Sequence, residues 1–208
     1  MKHIAMVAVL FGTSPLAAAE DQDPDLTMVS EADAINCHLD APTYQGFALS
    51  ISGEDGLAIK RQWRKVETEN PFLDEYELPT PILVTATYQT RRIAFSSSGV
   101  MAILDLADPN ILARDEAIAN AMDPEPLIAE LIASGRASRA EIEAEMPFRK
   151  FLGERVLADV TELPTGDESF GTHTIVARTL SNATSHPGKT LYGCSYRIEL
   201  IGKDGKPL

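Results

Sequence analysis

Two thiols, a serine run and four imidazoles are the side chains here whose types and spacing could do chemistry. Ser96, Ser97 and Ser98 stand in Phe95-Ser-Ser-Ser-Gly99, which lacks the glycine before the nucleophile that a G-x-S-x-G elbow requires. A triad assembles by geometry rather than chain order, so Ser98 with His173 or His186 and an aspartate remains open as a hydrolase site. Three serines after a strand also satisfy their own backbone at a bend, and that reading is preferred. His3, His38, His173 and His186 show no H-E-x-x-H spacing, and no D-x-D-x-D-G loop occurs, so no metal is expected. A cross-strand pair of His173 and His186 is conceivable, but exposed strand and turn positions account for both. Gly188-Lys189-Thr190 looks like the end of a phosphate loop, yet Ala183 stands where its first glycine belongs and a hairpin surrounds it. Asn182-Ala183-Thr184 reads as a chance match to a glycosylation sequon. No cofactor is expected.

The best-motivated binding feature is Lys60-Arg61-Gln62-Trp63-Arg64-Lys65. Lys60, Arg61, Trp63 and Arg64 could hold a small anionic ligand, with the indole stacking and an arginine gripping a carboxylate or phosphate. Arg91 and Arg92 could extend the patch on the same sheet. The competing reading is a sheet edge protected by charge and neutralised by Glu67, Glu69, Asp74, Glu75 and Glu77.

These groups sit in a chain of 208 residues with formal net charge −13, 44% hydrophobic and 24% charged. That suits one globular domain with a real core. The surplus of acid argues against nucleic acid and anionic membranes as partners. Residues 1–19 read as a signal peptide: Lys2, an apolar run Ile4 to Phe11, helix breakers, and Ala17-Ala18-Ala19 before cleavage at Glu20. The run is too short for a stable membrane span. A periplasmic or secreted location follows as an expectation, and in such an oxidising compartment Cys37 and Cys194 should pair. A reactive Cys37 beside His38 is disfavoured, because helical neighbours in sequence do not face each other.

Elements must position these groups. Residues 20–29 form an acidic leader, 30–201 a single domain and 202–208 a polar tail. Ser30 caps a helix over Glu31 to Leu39, ended by Asp40-Ala41-Pro42. Phe47, Leu49 and Ile51 alternate as a strand, a turn follows at Gly53 to Gly56, and Leu57, Ile59 and Trp63 continue on its partner. Residues 67–80 read as loop, Ile82 to Tyr88 as strand, Gln89 to Arg91 as turn, then Ile93 to Phe95 and Val100 to Leu104 as strands broken by a bend. Asp108-Pro109, Asp123-Pro124 and the pair Ser138 with Glu141 each start a short helix, the second closed by Gly135. Arg155 to Val160 is strand-like. Tyr192, Cys194, Tyr196, Ile198 and Leu200 alternate with Gly193, Ser195, Arg197 and Glu199, a strand with one buried face, paired with His173 to Leu180.

The expected fold is α+β: an antiparallel sheet of about six strands, an N-terminal helix and a cluster of short helices inserted between strands. The expected role is an exported, non-catalytic binding or interaction domain for a protein or small anionic ligand. The alternative is a hydrolase whose serine and histidine meet only in three dimensions.

Overall fold

The computed structural model describes residues 25–208, so the expected signal peptide (1–19) and the first half of the expected acidic leader (20–24) lie outside the described residues. The chain enters through a 3-10 turn, Leu26–Met28, capped by Asp25. Then follow α1 (Glu31–Ile35), α2 (Ala41–Leu49), α3 (Leu57–Lys60), β1 (Arg64–Val66), β2 (Asp74–Leu83), β3 (Gln89–Ser96) and β4 (Gly99–Leu104). The middle third holds α4 (Asn110–Asp115), α5 (Glu125–Ala133) and α6 (Arg139–Glu145); β5 (Leu152–Glu162), β6 (Gly171–Ser181) and β7 (Thr190–Ile201) close the chain. The fold is α+β, as expected, with seven strands in one antiparallel sheet of order β1-β2-β3-β4-β7-β6-β5.

Side chains alternate between the faces of a strand, so the registers sort the residues into two layers. One rung runs Tyr76, Ile93, Ala102, Tyr192, Leu180 across β2, β3, β4, β7 and β6, and every member is buried. The next rung on that face carries Phe95, Val100, Cys194 and Arg178. The N-terminal helices cover this face. The Tyr44 and Tyr196 rings stack at 4.1 Å, Tyr196 Oη donates to the Ala34 carbonyl at 2.7 Å, and Cys37 is bonded to Cys194. Arg178 lies under the same helices, donating to the carbonyls of Ile35 and Asn36, with its guanidinium 4.8 Å from the Tyr192 ring. Past the end of α4, Glu116 accepts from Tyr192 Oη at 2.8 Å and from Arg155 at 3.1 Å.

Several local expectations are corrected. Phe47 and Leu49 belong to a helix: Asp40 caps α2 by accepting from Thr43 N, and Pro42 sits in its first turn. The buried residues Tyr44, Phe47 and Ile51 follow helical spacing, while Leu49 is 84% exposed. Leu57 opens α3, and Gln62, at φ 58°, turns the chain from that helix into β1. β2 starts within the expected loop, at Asp74; its prolines 79 and 81 lie beyond the reach of β1, where the ladder to β3 is irregular. The strand placed over Ile82 to Tyr88 ends at Leu83, and the expected turn at Gln89 to Arg91 is the start of β3. The bend at Ser96 to Gly99 is a tight hairpin in which Ser96 pairs with Gly99. Leu200, expected inside, is 48% exposed, while Ile198 remains partly buried against the core. The tail folds back: Gly202 N donates to Lys206 O and Leu208 N to Leu200 O. The three short helices of the middle third form where their start signals stand, with the capping box of Ser138 and Glu141 complete.

Candidate functional site

The strand positions that face away from the helices include a second rung, Glu75, Ala94, Met101, Gly193 and Thr179. Arg92 and Glu77 occupy the adjacent positions on β3 and β2. Carboxylates on this face would ordinarily be wet. Glu75 is only 1% exposed, because the loop between β6 and β7 (residues 182–189) folds over it.

That loop brings His186, 9% exposed, onto Glu75, with Nε2 to Oε1 at 2.7 Å. Its other ring nitrogen, Nδ1, is 2.9 Å from Ser185 Oγ. Arg92 Nη2 donates to the second carboxylate oxygen, Oε2. Four side chains from three segments therefore form one connected network: Ser185, His186, Glu75, Arg92. Burial pushes the Glu75 carboxyl up, but the interactions with Arg92, Thr68 and His186 together outweigh it and hold it below its ordinary value. The carboxylate stays ionised, which fixes the neutral imidazole as the Nε2–H tautomer and turns the Nδ1 lone pair toward Ser185. Arg92 Nε is buried with no hydrogen-bond partner among the described residues.

The network floors a cleft of about 680 Å³, also lined by Glu67, Glu69, Thr90, Arg91, Ile103, Asp105 and Lys189. Lys189 pairs with Asp105, Thr90 Oγ1 donates to the Ile103 carbonyl at 2.7 Å, and Arg91 donates to the Leu78 and Pro79 carbonyls. Charges of both signs thus surround the Arg92 side chain, which is part-exposed while its Nε is buried.

The residues singled out in the sequence are distributed differently. Trp63 packs inside, its ring 5.7 Å from Tyr76 and 6.2 Å from Phe95. Arg61 donates to Glu31 Oε1 at 2.6 Å and to the carbonyls of Thr27 and Val29, and its guanidinium lies 5.6 Å from the Phe47 ring. Arg64 pairs with Glu77 and Lys65 with Asp74, on the short edge strand β1; Lys60 is exposed at the end of α3. Arg61 and Trp63 line one opening of about 460 Å³, with the guanidinium 5.8 Å from the indole, whereas Lys60 and Arg64 lie outside its lining. Arg61 works as a clamp on the incoming segment, and Arg64 and Lys65 are edge charges.

His173 bonds Asp159 at 2.8 Å on the β5–β6 hairpin, so it does not meet His186. No cluster of three or more metal-ligating side chains occurs among the described residues. Ser96 Oγ donates to the Gly99 carbonyl within its hairpin, and the Ser98 backbone carbonyl accepts from Tyr196 N of β7. Thr190 Oγ1 donates to Leu106 O, and Asn182 ties Phe151 N and Arg149 O, so both the phosphate-loop and sequon residues hold backbone. His38 bonds Asp33, while Cys37 lies in the disulfide.

Sequence reasoning missed Glu75 as a site residue, treating it as a neutralising acid, and did not single out Ser185 as a nucleophile. The only linear signal was two opposite charges, Glu75 and Arg92, at strand positions that turn out to be neighbours. Among known proteins, no family model, no curated protein and no solved structure matches this chain.

Proposed function

We propose that the chain is an exported binding domain that holds a small carboxylate-bearing ligand in the cleft over Arg92. Export rests on the signal-like residues 1–19 and agrees with the Cys37–Cys194 bond, since disulfides persist outside the reducing cytosol. No helix among the described residues is long and apolar enough to cross a membrane. The single observation that carries the binding reading is the orphaned Nε–H of Arg92. Buried donors are normally satisfied, and this one belongs to a part-exposed side chain that lines the cleft, where an entering ligand would supply the missing acceptor. A guanidinium already anchored by Glu75 presents that donor in a fixed place, which suits a planar carboxylate. Glu67 and Glu69 at the same opening favour a ligand that also carries a cationic group, such as a free amino acid.

Thermal-shift titration with free amino acids and simple mono- and dicarboxylates tests this. The melting temperature should rise in a saturable way for at least one of these ligands, and Arg92→Lys, which keeps the charge but removes Nε and the fork, should weaken that ligand by 10-fold or more. An Arg61→Ala/Arg64→Ala variant should bind as the wild type does. If that variant loses the ligand while Arg92→Lys keeps it, the site belongs to the basic stretch around Trp63 and the cleft reading fails.

A further inference from the structure

We propose that Ser185 is an acyl-accepting nucleophile, with His186 as its general base and Glu75 as the positioning residue, so that the cleft hydrolyses small esters. The proposal rests on the cleft as a ligand site and adds a reaction to it. Nucleophile to base is 2.9 Å and base to orienting carboxylate is 2.7 Å, the two distances by which such a relay is recognised. Adjacent residues on a helix or strand cannot meet in this way. Ser185 and His186 lie in the turn that ends at Gly188, φ 70°, and there consecutive side chains can close on each other. Glu75 is kept ionised without solvent, so an imidazolium formed beside it would be stabilised where it arises. The backbone N–H of Ser185 has no acceptor among the described residues, leaving it free to receive an oxyanion on the carbonyl attacked by its own side chain.

The step balances with water as the only co-reactant. Ser185 Oγ bonds to the ester carbonyl carbon while its proton passes to His186 Nδ1. The tetrahedral intermediate collapses by breaking the bond to the alcohol oxygen, which takes that proton and leaves. Water then attacks the acyl-serine, giving its proton to Nδ1; the carboxylic acid departs and the proton returns to Oγ. Nothing is oxidised or reduced. The charged groups around the imidazole are Glu75 of β2 and Arg92 of β3, with Glu67, Glu69, Arg91, Asp105 and Lys189 also lining the cleft.

The disulfide-bonded full chain is treated with a fluorophosphonate probe, the adduct is mapped by mass spectrometry, and p-nitrophenyl acetate turnover is followed. Labelling should fall on Ser185, and Ser185→Ala should abolish both label and turnover. His186→Ala should slow labelling by about 100-fold or more. Glu75→Gln should slow it too and move the pH profile of what remains, with circular dichroism unchanged; a carboxylate with only a structural role would leave that profile in place. A wild type with no label at Ser185 between about pH 6 and 9, or an unchanged turnover in Ser185→Ala, overturns the proposal. Carboxylate-dependent thermal shifts in the wild type are read separately. Shifts without labelling sink the chemistry and leave the binding reading standing; labelling without shifts does the reverse.

Discussion

Glu75 is buried by contacts that all favour its charged form, and that ties the stability of the fold to pH. Its carboxyl is lowered from an ordinary value of 4.5, so the ionised group stabilises the folded chain. The contribution is complete above that value and disappears as pH falls through the lower, folded one. Glu154, held down by Arg197, behaves in the same direction, so the two must be separated by substitution. Urea midpoints measured from about pH 6 down to 3 should fall more steeply for the wild type than for Glu75→Gln, which has no proton to take up. Parallel slopes would show that Glu75 titrates alike in both states. The same reasoning explains why the site escaped sequence reading. Glu75-Tyr76-Glu77-Leu78 lies in the stretch read as loop, although its alternation of acid and apolar residues fits the strand that forms there. Only the distant 182–189 loop makes the wet face dry at Glu75.

The two short helices that follow α1 show where local pattern and local signal conflict. Phe47, Leu49 and Ile51 alternate like a strand, but Asp40 followed by Pro42 is a helix start, and here it opens α2 with the Asp40 carboxylate accepting from Thr43 N. Over so few residues an apolar run fits both periods, and packing decides. The helix makes a prediction that a strand would not: Phe47 points into the core and Leu49 into water. Phe47→Ala should cost about 3–5 kcal/mol by urea denaturation, and Leu49→Ala less than about 0.5. Comparable losses at both positions would place them on one face, as the strand reading required. Trp63 carries the same lesson. Its neighbours in sequence are cationic, which suggested a ligand platform, yet the turn at Gln62 directs the indole onto Tyr76 and Phe95, and the large apolar ring is buried because more of its surface leaves water there.

Across the whole molecule the Cys37–Cys194 bond links the end of the first helix to the central part of the sheet, 157 residues apart in sequence with Cα atoms 5.3 Å apart. On the chain-entropy model a loop of that length is worth about 5 kcal/mol, an upper figure because unfolded-state structure reduces it. Reduction, or a Cys37→Ala/Cys194→Ala pair, should lower unfolding free energy by about 3–5 kcal/mol while leaving the far-ultraviolet spectrum unchanged. The helix layer should survive because Arg178, Tyr44 and Tyr196 hold the same elements without the sulfurs. A bridge whose loss left the midpoint unmoved would mean that these contacts alone close the fold.

The sequence by itself determined the fold class, the hairpin of β6 and β7, the sulfur pairing and the three helix starts of the middle third. Each follows from signals within a few residues or from a count with one solution: strict alternation in Tyr192 to Leu200, a capping box at Ser138, two cysteines and no third. Tertiary structure alone decided which face of β2 would be dry, where Trp63 would point, and that His186 would meet Glu75 across 111 residues. Those outcomes depend on surfaces meeting in space, and solvent exclusion at one residue is set by chain segments that its own neighbours in sequence do not encode.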